Sequence, residues 1–116
     1  MELICTEQFK ENVGFYVKEK KYTKILEDLS PIADKIMGDD LPGSKLDSLA
    51  LKGIDVYKAA TGNSSANRGK SDGLRVIYYV VNSEKKAYLL TLYSKKDTGS
   101  IPGESEILYW IESIVK

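Results

Sequence analysis

The feature that most constrains the fold is a pair of apolar segments, rich in β-branched and aromatic residues, separated by a short polar turn. The segments are "LRVIYYVV" (74–81) and "AYLLTLY" (87–93), and the turn is "NSEKK" (82–86). Such a pair is typical of an antiparallel hairpin. A third strand, "IDVYKAA" (54–60), precedes it across the loop "TGNSSANRGKSDG" (61–73), which we expect to be flexible. The second half of the chain therefore predicts a small antiparallel sheet.

Helical spacing of apolar residues predicts helices before and after these strands. A short strand over residues 1–6 leads into a helix that begins at about Thr6, a candidate N-cap. A second helix covers about residues 22–37, and Pro31 is a point where it could kink or split. Residues 104–116 form a C-terminal helix. This order predicts an α+β fold with the N-terminal helices packed on one face of the sheet.

Composition excludes several kinds of active site. The chain of 116 residues has no histidine, which rules out a Ser-His-Asp triad, a Cys-His dyad, a two-histidine ribonuclease and a His-ligated zinc site. No carboxylate pair recurs with metal-ligand spacing, so we expect neither a metal nor a cofactor. A single cysteine, a charged N-terminus and the lack of a long apolar run predict a cytoplasmic protein that does not enter membranes. The length and the absence of a linker indicate one domain, residues 1–116.

Charge is unevenly distributed although the formal net charge is zero. Between Tyr57 and Lys96 there are eight basic and two acidic residues, which leaves six positive charges on the predicted sheet. Because the net charge is zero, the segments before and after it carry six negative charges. A basic sheet flanked by acidic segments favours an anionic ligand. Scattered lysines in contact with water would give the same count.

Side-chain alternation along the hairpin predicts two different faces of the sheet. The expected pairs are Val81 with Ala87, Tyr79 with Leu89, Ile77 with Thr91 and Arg75 with Tyr93. The apolar face should pack against helices, and its members are Leu74, Val76, Tyr78, Val80, Tyr88, Leu90 and Leu92. The other face should be partly open, and it carries Arg75, Tyr79, Thr91 and Tyr93.

Arg75 is the most informative residue of this second face. With Lys58 on the preceding strand it would form a cationic cluster suited to phosphate, because a guanidinium offers a bidentate fork. A structural ion pair with Asp72 or Asp97 explains the same arginine equally well, so both interpretations remain open at this point.

Residues 56–97, "VYKAATGNSSANRGKSDGLRVIYYVVNSEKKAYLLTLYSKKD", resemble the RelE/ParE superfamily of toxins from bacterial toxin–antitoxin modules. The similarity is greatest to HigB- and RelE-type proteins with the pattern "GKSGG-R-IYY … YLLT-Y-K". It implies a RelE-like fold and an endoribonuclease, or mRNA interferase, that inhibits translation by cutting mRNA at the ribosome without a metal. It also implies a cognate antitoxin as partner, beside mRNA and the ribosome.

The resemblance also implies roles for particular residues. Arg75 would hold the scissile phosphate, and Lys58 would act as base or stabilise charge, while Lys96 or Tyr93 would protonate the leaving oxygen. The implied catalytic residues are thus Lys58, Arg75, Tyr93 and Lys96, and the implied RNA-binding residues are Arg68, Lys70 and Lys95.

Two departures from the family pattern support other interpretations. Ala60 stands where many relatives carry a second basic residue, and Asp72 replaces a glycine beside the site. They favour a toxin fold that has lost catalysis and only binds its antitoxin. A ParE-like inhibitor of DNA gyrase is the third alternative. The sequence does not determine the oligomeric state.

Overall fold

The computed structural model describes residues 1–49 and 51–115, which form three helices and one sheet of five strands. The helices are α1 (Glu7–Lys18), α2 (Ile25–Met37) and α3 (Glu104–Val115). The strands are β1 (Glu2–Cys5), β2 (Ser44–Lys45), β3 (Ile54–Thr61), β4 (Leu74–Val81) and β5 (Lys86–Ser94). The predicted α+β class is confirmed.

The sheet is mixed, whereas the sequence predicts a purely antiparallel one. Its strand order is β1-β5-β4-β3-β2, and β1 pairs parallel with β5 while the other neighbours pair antiparallel. A parallel partner has no connecting turn to mark it in the sequence, since parallel strands are joined by long crossover connections. The chain forms α1, α2 and three strands before it reaches β5.

The two N-terminal helices pack on one face of the sheet, as predicted. α1 begins after Thr6, whose Oγ1 accepts a hydrogen bond from the Phe9 backbone N–H at 3.2 Å. α2 continues through Pro31 as far as Met37, and its apolar face packs against the sheet. The buried residues of that face are Ile25, Leu29, Ile32 and Ile36. Within the described residues, no helix combines the length and apolar character needed to cross a bilayer.

The second face of the sheet is covered, where the sequence predicts a partly open surface. Ile107 and Ile111 of α3 are buried against it, together with Leu49. Ile77, Tyr79, Thr91 and Tyr93 are all at most 5% exposed. The apolar face of the C-terminal helix therefore completes a second core, which leaves only the margin of this face open to solvent.

The β4–β5 hairpin contains a bulge. The strand register agrees with the prediction on one side of the bulge and differs from it on the other. Arg75 pairs with Tyr93 and Ile77 with Thr91, as expected, but the register then shifts between Ile77 and Tyr78. Beyond the shift Tyr79 pairs with Tyr88 and not with Leu89. A one-residue shift exchanges the faces. Tyr88 and Leu90 consequently join the α3 side, where the sequence predicts them on the α1–α2 side.

Candidate functional site

The candidate site is the corner of the sheet where β3 and β5 end and β4 begins. Arg75 pairs with Ala60 on one side and Tyr93 on the other, so these three side chains share one face. Lys58 pairs with Ile77 and lies on the same face, diagonally from Arg75. Diagonal neighbours in a sheet are roughly 7–8 Å apart. Lys58 is exposed and Arg75 is partly exposed, so α3 leaves this corner uncovered.

The Arg75 guanidinium holds the preceding turn onto the start of β4. Its Nη1 donates to the Lys70 and Leu74 carbonyls at 2.9 and 3.2 Å, and its Nη2 donates to the Ser71 carbonyl at 3.1 Å. A guanidinium has five N–H donors, so these bonds use three and leave two without an acceptor among the described residues. Arg75 therefore has a structural role and retains the capacity for a further anionic acceptor.

The carboxylate of Asp72 forms an ion pair with Lys96 and not with Arg75. The Lys96 Nζ lies 3.6 Å from the Asp72 Oδ1, and both side chains are about half exposed, at 52% and 49%. The backbone N–H of Lys95 donates to the Gly73 carbonyl at 2.9 Å. Together these contacts hold the end of β5 beside the turn that precedes β4. An exposed pair of this kind is weak and can open when a phosphate approaches.

Tyr93 lies deeper than the basic residues around it. Its side chain is 4% exposed and belongs to the core under α3. Burial raises the pKa of the Tyr93 phenol, and the nearby charge of Arg75 lowers that pKa in part. The phenol is therefore protonated at neutral pH, when it can donate a hydrogen bond but cannot act as a base.

The loop that carries Arg68 and Lys70 connects β3 to β4. It contains two 3₁₀ turns, Ser64–Ala66 and Lys70–Asp72, and both basic side chains are exposed. The Ser64 backbone N–H donates to the Asp28 Oδ2 at 3.0 Å, which ties the loop to α2. The loop residues thus stand at the same end of the sheet as Arg75.

The structure therefore brings the sequence-predicted residues to one corner, with different degrees of access. Lys58, Arg68, Lys70, Lys95 and Lys96 are exposed, Arg75 is partly exposed and Tyr93 is buried. Within residues 1–49 and 51–115, no three acidic or thiol side chains converge in a way that could hold a metal ion. Comparison with protein-family models and with curated proteins finds no match to this chain.

Sequence reasoning misses a second polar region, a cleft between α1 and α3. Its lining includes Gln8, Asn12, Glu106 and Trp110. Gln8 and Asn12 are four residues apart and therefore share one face of α1, and this spacing can be read from the sequence. Their convergence with Glu106 depends on the packing of α3, which the sequence does not reveal.

Proposed function

We propose that this chain is the toxin of a toxin–antitoxin module and cuts mRNA at the ribosome as a metal-independent endoribonuclease. The observation that carries the proposal is the uncovered cationic corner, where Lys58 and Arg75 share one face of the sheet. The exposed basic residues of the loop and of the end of β5 surround it. Such a cluster favours the phosphates of single-stranded RNA.

The proposed reaction is attack of a ribose 2′-oxygen on the adjacent phosphorus. The new O–P bond forms as the bond to the 5′-oxygen breaks, which leaves a cyclic phosphate and a 5′-hydroxyl. Lys58 either takes the 2′-proton as the neutral amine, or stays charged and stabilises the phosphorane while a water molecule takes that proton. The two free N–H groups of Arg75 bind a phosphate oxygen, and Lys96 returns a proton to the 5′-oxygen, with the Tyr93 phenol as the alternative donor.

The proposed partners are the cognate antitoxin, mRNA and the ribosome, and the proposed compartment is the cytoplasm. A ribosome would supply the orientation of the substrate that this exposed corner does not provide. Arg68, Lys70 and Lys95 would then contact RNA backbone phosphates around the cut.

A second candidate function is a catalytically inactive RelE-like protein that binds its antitoxin. Two observations favour it. Three of the five N–H donors of Arg75 already bind backbone carbonyls, and Lys96 is already paired with Asp72. Both cations therefore have structural partners in the free protein.

The test is a cell-free translation reaction to which the purified protein is added, followed by primer extension to map mRNA ends. Lys58→Ala is the decisive variant, because Lys58 is exposed and its loss should spare the fold. Lys35→Ala, an exposed lysine of α2 on the opposite layer, is the matched control. We expect cuts within codons that fall about 10²- to 10⁴-fold in Lys58→Ala and persist in Lys35→Ala.

Three outcomes would contradict the proposal in different ways. Equal cutting by Lys58→Ala and the wild type would exclude this corner as the active site. Intact mRNA with normal translation would exclude the nuclease activity and favour the inactive protein that binds its antitoxin. Inhibition of DNA supercoiling by purified gyrase would instead identify a gyrase inhibitor.

A further inference from the structure

A polar cleft of about 260 Å³ lies between α1, α3 and the free edge of β5. The side chains that line it include Gln8, Asn12, Phe15, Glu106 and Trp110. None of them belongs to the cationic corner. The cleft therefore requires a separate explanation from the proposed nuclease.

Asn12 presents hydrogen-bond donors to this cleft. Its Oδ1 accepts from the Thr91 hydroxyl at 2.7 Å and from the Leu92 backbone N–H at 3.1 Å. The second of these bonds fixes the orientation of the amide, since a backbone N–H can only donate. Both N–H groups of the Asn12 Nδ2 are then left without an acceptor among the described residues.

Glu106 and Gln8 contribute acceptors to the same cleft. One carboxylate oxygen of Glu106 accepts from the Gly103 backbone N–H at 3.4 Å, and the other has no partner among the described residues. The Nε2 of Gln8 donates to the Leu90 carbonyl at 3.4 Å, and the Gln8 amide oxygen is the second acceptor that faces the cleft. A ligand that accepts from Asn12 and donates to the carboxylate would satisfy both of these groups.

Aromatic side chains line the cleft beside these polar groups. Phe15 is 43% exposed and Trp110 is partly exposed, so both can present ring surface to the cleft. Exposed aromatic surfaces beside unsatisfied polar groups are the combination by which proteins bind unstacked bases. The ligand should accordingly be planar as well as polar.

We propose that this cleft binds a guanine base. The Watson–Crick edge of guanine has a carbonyl oxygen for the Asn12 amide, and its ring N–H and exocyclic amine can both donate to the Glu106 carboxylate. Adenine has an amine where guanine has the carbonyl, and it has no amine at the second position. The Glu106 charge disfavours a phosphate in the cleft, so a neutral nucleoside satisfies the cleft better than a nucleotide.

Binding of guanine in this cleft does not depend on the proposed nuclease activity. Free guanosine and a guanine within single-stranded RNA present the same edge to the cleft. Comparison of guanosine with a short guanine-containing oligoribonucleotide separates these sources. Equal affinity supports a small-molecule site, while tighter, salt-dependent binding of the oligomer supports an RNA subsite.

Trp110 is the only tryptophan of the chain and lines the cleft, so it reports binding directly. The experiment titrates guanosine, inosine and adenosine into the full chain and follows tryptophan fluorescence excited at the red edge of its absorption. We expect saturable quenching by guanosine, about tenfold weaker binding of inosine because it lacks the exocyclic amine, and no saturable change with adenosine.

The decisive variant is Glu106→Gln, which should abolish the preference for guanosine over inosine. Glutamine can still accept from the Gly103 N–H at the start of α3, so the helix should remain capped. Glu11→Gln, an exposed carboxylate of α1 that does not line the cleft, makes the same charge change and should leave binding intact. Equal responses to the three nucleosides, no response to guanosine, or an unchanged preference in Glu106→Gln would each overturn the inference.

Discussion

Tyr78 and Tyr79 are adjacent and both fully buried, but they lie on opposite faces of β4 and differ in hydrogen bonding. The Tyr78 hydroxyl donates to the Pro42 carbonyl at 2.6 Å. The Tyr79 hydroxyl has no partner among the described residues, and its ring stacks on Tyr88 with 4.8 Å between centroids. The two phenols therefore offer an internal comparison of a satisfied and an unsatisfied buried group.

We predict opposite effects of removing these two hydroxyls. Tyr78→Phe should lower the free energy of unfolding by about 1–3 kcal/mol, because it leaves the Pro42 carbonyl without its donor. Tyr79→Phe should be neutral or stabilising by about 1 kcal/mol, because it removes an unpaired polar atom from the core. Urea unfolding of both variants measures the difference, and equal losses of stability would contradict it.

The position of Arg75 could be predicted from the sequence, but its hydrogen-bond partners could not. Alternation along β4 places it on the same face as Tyr93, and this prediction is confirmed. The acceptors of its guanidinium were not predictable, because they are carbonyls of Lys70 and Ser71. Backbone carbonyls are the same in every residue, so only the path of the turn determines which of them an arginine can reach.

At the scale of elements, α1 protects the free edge of β5. β1 pairs with β5 only as far as Leu89, and the backbone groups beyond it need other partners. Side chains spaced by four residues on α1 bind groups spaced by two on β5, since both spacings span roughly 6–7 Å. The bonds join Gln8 to the Leu90 carbonyl at 3.4 Å, Asn12 to the Leu92 N–H at 3.1 Å, and Tyr16 to the Ser94 N–H at 2.9 Å.

We predict that Asn12 is the central residue of this contact. Asn12→Ala should cost about 1–3 kcal/mol of stability, because the partly buried Leu92 N–H and Thr91 hydroxyl both lose their acceptor. Hydrogen exchange of the Leu92 amide should accelerate with the loss of stability. Glu11→Ala, one residue earlier and exposed, is the control and should change neither quantity. Unaltered exchange at Leu92 in Asn12→Ala would show that the edge is protected by other means.

The elements themselves were predictable to different degrees. Thr6 and the apolar spacing after it identify α1, because a cap and a helical face are local features. The bulge near Leu90 was not predictable, because an unbroken apolar strand gives the same alternation with or without it. That bulge decides which β5 side chains reach α3. The sequence therefore did not reveal that α3 covers the second face of the sheet.

At the scale of the whole molecule, buried phenols couple stability to alkaline pH. Burial raises the pKa of Tyr79 to about 12 and also raises the pKa values of Tyr16, Tyr78 and Tyr93. An unfolded chain ionises its tyrosines near pH 10. The folded state therefore retains phenolic protons that the unfolded state releases above that pH.

We predict that the buried tyrosines contribute their full stabilisation up to about pH 10, and that the free energy of unfolding falls steeply between about pH 10 and 12. Each raised tyrosine contributes at most about 1.4 kcal/mol per pH unit in that window, and below pH 10 its contribution is fully present. Urea unfolding at successive pH values, with tyrosinate absorbance followed in parallel, measures this. Tyr79→Phe should reduce the slope, whereas Tyr109→Phe, which removes a phenol that is 70% exposed, should not. Ionisation of all eight tyrosines near pH 10 with the fold intact would refute the coupling.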